Sequence, residues 1–126
     1  MRPLICICLV TAAIISVGLL AINMLDNDSE NLSNLITNIE NEVMNDNWEE
    51  ARIIENQLKD LWKKYEKKWP VLIDHSEVDN ISSHLSELGV YLANRDRILA
   101  SAELSVLKLL VKNIPKKESV IIQNIF

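Results

Sequence analysis

Glycine and proline are scarce in this chain, 2 and 3 among 126 residues, and that scarcity excludes whole classes of protein. A turn-rich all-β fold needs both residues at its corners, whereas long helices need neither. Phosphate-cradling loops, nucleophile elbows and dinucleotide fingerprints are built from clustered glycines, and Gly18 and Gly89 stand alone. Cysteine is nearly missing too. Cys6 and Cys8 lie two residues apart in an apolar stretch, where one helix cannot let them bridge, so there is no disulfide framework. With His75 and His84 as the only histidines, the donor set is too thin to predict a metal, and no cofactor is expected.

A surplus of basic charge is also missing. The net charge is −5, and setting aside the first 25 residues removes Arg2 and no acid, leaving 12 basic against 18 acidic side chains. Such a balance excludes nucleic acid as a partner, because phosphate contacts need concentrated Lys and Arg. Lys59, Lys63, Lys64, Lys67 and Lys68 make one stretch locally basic. Their spacing puts them opposite the neighbouring aromatics, with Glu55–Lys59 and Asp60–Lys64 as i, i+4 pairs on a solvated face.

What the chain does have is one long apolar run. Leu4–Leu25 carries no charge over 22 residues, about 33 Å as a helix, enough to cross the bilayer core. A cleaved signal peptide is the rival, but Ser16-Val17-Gly18, its best cleavage site, lies inside the run rather than after it. The expectation is an anchor at residues 1–25 contacting the bilayer through 4–25. Arg2 before it and Asp26, Asp28 and Glu30 after it place the N-terminus in the cytoplasm and residues 28–126 outside.

The remainder reads as all-α. Leu32, Leu35, Ile36, Ile39 and Val43 keep helical spacing, with Asp28 or Ser29 as N-cap. Asn47-Trp48-Glu49-Glu50 opens a second helix with a capping-box signature, burying Trp48, Ala51, Leu58, Trp62, Tyr65 and Trp69. Pro70 ends it or opens the next. A third helix, from about Pro70 to Ala93, carries Val78, Ile81, Leu85, Leu88 and Leu92. The fourth runs to Asn113 with Leu99, Ala102, Val106, Leu110 and Ile114 inward, and Pro115 closes it. A single bent helix over 71–113 is the alternative, since the heptad phase continues to Leu99, Ala102 and Val106. Nearly matched lengths and short links predict an antiparallel up-down bundle of three to four helices behind a transmembrane helix. The apolar C-terminal tail, with Ile121, Ile122, Ile125 and Phe126, is expected to pack or dock.

Two polar groupings could carry chemistry. Asp74, His75 and Glu77 gather at the start of the third helix, where acids complement the helix dipole and His75 is expected either to pair with Asp79 or to pack against a tryptophan. Glu77, Asn80, His84, Glu87 and Tyr91 form a stripe with acid, base and phenol at contact spacing. No nucleophile or oxyanion donor accompanies it, so an enzyme is not expected.

These residues also carry a resemblance. Asn47-Trp48-Glu49-Glu50-Ala51, Trp62, the run Leu72 to Ile81, Tyr91-Leu92, Asp96, Ala102-Glu103-Leu104, Leu107-Lys108 and Asn124-Ile125-Phe126 together resemble domain-of-unknown-function family 4363, small anchored proteins of spore-forming Gram-positive bacteria. Gly89 departs from that pattern, which has a helix former there. The resemblance implies an anchor plus a helical domain, no assigned activity, and association with small multi-pass membrane proteins. The expected function is therefore an accessory module binding a membrane or envelope protein, with Trp48, Trp62, Trp69, Asp74, His75, Glu77, His84, Asn124 and Phe126 as candidate interaction or structural residues. A small molecule held near Trp62, Trp69 and His84 is the alternative.

Overall fold

The computed structural model describes the chain except Leu72 and Phe126, and the side chains of all remaining residues except Val71, 117–123 and Ile125. It is all-α among the described residues: α1 (Arg2–Met44), α2 (Trp48–Lys68), a 3₁₀ turn at Trp69–Val71, α3 (His75–Ala93) and α4 (Arg97–Ile125). α1 packs most extensively against α4 and α2, α3 packs on α4, and of these neighbouring pairs α2 and α3 touch least. The result is an up-down bundle open along its α2–α3 seam.

The expected break between anchor and first bundle helix does not exist. α1 runs unbroken for 43 residues, about 65 Å at ~1.5 Å per residue. Asp28 and Ser29, expected as N-caps, lie mid-helix and are buried. A change from apolar to polar side chains does not interrupt a helix, because Asn, Asp and Ser cost it only a few tenths of a kcal/mol each. The exposed apolar face of residues 4–20 gives way at Leu25 to a buried stripe, Leu25, Leu32, Ile36, Ile39 and Val43.

Two similar turns close the distal end. Asp46 and Arg95 adopt left-handed φ values of 58° and 54°, and the following amides, Asn47 and Asp96, donate back to Glu42 and Tyr91 carbonyls at 2.9 and 3.0 Å. These are Schellman-type helix stops. Arg97 joins them by pairing with Asp46. The second stop overturns the single bent helix over 71–113. Asp96 then caps α4, its Oδ1 accepting from Leu99 N at 3.0 Å, while Asp74 caps α3 by accepting from Ser76 N at 3.3 Å. The capping box at α2 is not formed: Asn47 is the N-cap residue, but its side chain donates to Glu42 Oε2 at 2.9 Å instead.

The buried stripes of α2 and α3 follow the sequence pattern, but α4 follows it only at Ile114, which is buried, and at the half-buried Leu110. Its core residues are Ala100, Leu104, Leu107, Val111 and Ile114, whereas Leu99 and Val106 are exposed and so is Ala102. Nor does Pro115 close α4, which continues to Ile125. A proline inside a helix withholds the N–H that would bond the carbonyl four residues back, here that of Val111. The Ser29 hydroxyl donates to that same Val111 oxygen from α1. Ser29 thus supplies the donor Pro115 lacks, which explains a buried serine on the α1–α4 seam. Ser29→Ala should destabilise the bundle by about 1–3 kcal/mol, the cost of orphaning a buried acceptor. Restoring the N–H with Pro115→Ala should remove most of that penalty in a double-mutant cycle read by urea denaturation; additive losses would refute the pairing.

One further residue departs from its expected place. Glu55, assigned to a solvated face, is 1% exposed. It sits in the gap between Ala51 and Leu58 on the buried stripe, with Lys59 Nζ 2.6 Å from Oε1. A Cβ on Gly89 would lie 2.8 Å from that oxygen. Gly89 is therefore the space α3 leaves for a buried carboxylate, and the helix former of the family pattern would crowd it.

Candidate functional site

The α1–α2 junction beside the apolar half of α1 gathers most of the aromatic mass. Trp69 is fully buried; its ring meets the Trp62 ring edge-on at 5.3 Å and stacks parallel to Tyr65 at 6.0 Å. Its Nε1 donates to Asp28 Oδ2 at 3.1 Å, and the same oxygen receives Lys68 Nζ at 2.8 Å. Lys68 also lies over the Tyr65 ring, 4.9 Å from its centroid, while Asn31 Nδ2 donates to the Tyr65 hydroxyl at 3.3 Å. A buried carboxylate is tolerable only when paired and hydrogen-bonded, and Asp28 has both. The arrangement fastens the end of α2 to α1 one turn past the apolar run.

A second polar centre forms between α3 and α4. His84 Nδ1 contacts Glu103 Oε1 and lies 3.6 Å from Glu87 Oε2. Glu103 is buried, His84 half-buried and Glu87 exposed. The three side chains offer one ligand atom each, all within 4.8 Å of one another. Burial pushes the Glu103 carboxyl above its ordinary value, the hydrogen bond and charge of His84 oppose that, and Glu87 reinforces it. Because the folded chain holds this proton more tightly than the unfolded one, Glu103's contribution to stability is full below about pH 4.5 and fades as pH rises through its folded value. In chelator-containing buffer, the stability of the native chain relative to Glu103→Gln should therefore decline as pH rises above about 4.5. Urea melts across that range check it, and a flat difference would contradict it.

The candidate residues do not share one site. Trp62 and Trp69 belong to the α1–α2 junction, Trp48 is buried at the distal end, and His84 faces α4. Asp74 caps α3. His75 and Asp79 are both exposed, and no pairing between them is found among the described residues. Glu77 and Tyr91 are half-buried, each about 10 Å along α3 from His84 at ~1.5 Å per residue, so the acid–base–phenol stripe does not converge. Asn124 is exposed. Phe126 lies outside the described residues, as do the side chains of Ile121, Ile122 and Ile125. Trp62 does border a groove of about 430 Å³ between α2 and α3, with Lys59, Lys63, Glu66, Ser82 and Leu85. Its Nε1 donates to Ser82 Oγ at 2.9 Å; neither Trp69 nor His84 lines this groove. Glu103 and Asp28 escaped sequence reasoning as site residues, because nothing in one helix's spacing tells which acid from another helix will meet it.

The sequence profile of a domain of unknown function, DUF4363, matches residues 19–125. No curated protein and no solved structure matches.

Proposed function

We propose that this chain, which belongs to the family of domain of unknown function DUF4363, is a single-pass membrane protein whose extracytoplasmic bundle docks another membrane or envelope protein. The observation that carries the reading is the continuity of α1. One helix is both the apolar stretch, none of whose most hydropathic window is buried, and a wall of the bundle core. An exposed apolar surface of that length needs a bilayer to cover it, and the bundle then stands on its anchor without a linker. Tethering at the bilayer surface raises the effective concentration toward neighbours in the same membrane, so a modest contact area suffices. Arg2 before the span and Asp26 and Glu30 after it favour an outward bundle.

The outer stripe of α4 supports the docking role. Leu99, Val106 and Leu109 are 45%, 37% and 61% exposed and follow each other at helical spacing around the exposed Ala102. A helix apolar on two faces has a second face to cover. In this reading the chain is not an enzyme. A photo-crosslinking residue at Leu109, in membranes, should yield a discrete adduct that the same residue at the α2 position Gln57 does not. Identical patterns from both positions, or none from either, would overturn the docking reading.

A second reading rests on the α2–α3 groove, with a small polar ligand held between Lys63 and Glu66 beside the edge of the buried Trp62. A ligand that raises the melting temperature of the native chain but not of Trp62→Ala would favour it.

A further inference from the structure

We propose that His84, Glu87 and Glu103 form a binding site for a first-row divalent transition-metal ion of the Zn²⁺ class. Three observations converge. The ligand atoms come from two helices of the bundle, His84 and Glu87 from successive turns of α3 and Glu103 from α4, and they already lie within 4.8 Å of one another. Facing helices supplying a histidine and carboxylates at i, i+3 spacing is how bundles hold metals. Charge points the same way. Among the described residues neither glutamate has a lysine or arginine within ion-pair distance; each has His84 alone. With both glutamates ionised, two carboxylates sharing one imidazole leave the centre a positive charge short even when the ring is protonated. A divalent cation bound to a neutral ring would bring it to balance. Burial is graded as a site requires: Glu103 is almost wholly enclosed and His84 a quarter exposed, while Glu87 at 53% exposure leaves an entry path.

The donor set selects the metal. One imidazole nitrogen with two carboxylate oxygens suits Zn²⁺, Co²⁺ or Mn²⁺, whereas Ca²⁺ and Mg²⁺ prefer oxygen alone. Zinc ligands at about 2.0–2.2 Å sit roughly 3.3 Å apart. The His84–Glu87 separation of 3.6 Å is near that value, and the His84–Glu103 contact must open to admit the ion. Metal ligands must be deprotonated to bind, so binding strengthens as pH rises. Such an ion would clamp α3 to α4, outside the lining of the α2–α3 groove. This site is independent of the docking role proposed above.

Calorimetric titration of the detergent-solubilised full chain with ZnCl₂, with Co²⁺ as a spectroscopic probe, tests it. The expected result is one saturable ion per chain, proton release, a visible Co²⁺ absorption band and a raised melting temperature. His84→Ala and Glu103→Gln should each weaken binding by roughly tenfold or more, the scale on which even supporting groups act, while His75→Ala leaves it unchanged. Glu87→Gln, at an exposed position, should weaken it in the same direction with helicity unaltered by circular dichroism. That variant keeps the test decisive if replacing the buried Glu103 unfolds the bundle. No binding at millimolar metal, or binding indifferent to His84→Ala, would overturn the site.

Discussion

Trp69→Ala should cost the bundle about 3–5 kcal/mol, the range for deleting a large buried aromatic. Trp69 is 0% exposed and carries three interactions at once: the Trp62 edge, the Tyr65 face and the Asp28 carboxylate. Truncation empties the space between α1 and α2 and leaves Asp28 with Lys68 alone, so a cavity and a half-satisfied buried charge add together. Trp69→Phe keeps much of the packing and loses the Nε1 donor, so it should cost less, about 1–3 kcal/mol. Urea denaturation of the solubilised full chain, followed by helicity, measures both. A loss below about 1 kcal/mol for the alanine variant would show that this junction does not hold the bundle together.

The second large effect concerns the orientation of α4. Leu104→Ala should destabilise by about 2–5 kcal/mol, because Leu104 is fully buried and its removal leaves a cavity. Leu109→Ala, five residues on and 61% exposed, should stay within about 0.5 kcal/mol. The same chemistry applied to both positions isolates the facing of the helix. Equal losses would mean that the Leu109 face is also covered within the isolated chain.

That contrast shows where the sequence was legible. In α2 and α3 the apolar residues form one stripe each and polar residues fill the rest, so periodicity alone names Trp48, Trp62, Val78 and Leu88 as core. α4 carries two apolar stripes. A heptad continued from α3 favours Leu99, Ala102 and Val106, but the Arg95 stop resets the phase and turns Ala100, Leu104 and Leu107 inward. Periodicity cannot choose between two faces of similar hydrophobicity; only the approach of α1 and α3 does. Pro115 misleads for a related reason. Its missing N–H is a local defect, and the remedy, Ser29, lies 82 residues before the Val111 carbonyl it satisfies. Glu55 was hidden because a charged residue with a lysine four positions on reads as a surface pair, and only Gly89 on another helix makes room to bury it. Of the polar centre, His84 and Glu87 were visible on one stripe, and Glu103 was not.

The central claim, that a bundle outside the cell is mounted directly on a membrane-crossing helix, is tested most directly by cysteine accessibility in intact cells. Single cysteines belong at Ser86 and Ser105, which are exposed on α3 and α4, and not at Ser29, which is buried; Cys6 and Cys8 are first replaced by serine. The account predicts that a membrane-impermeant maleimide labels both positions before lysis. Protection of both until the cells are broken open would contradict it, placing the bundle on the cytoplasmic side.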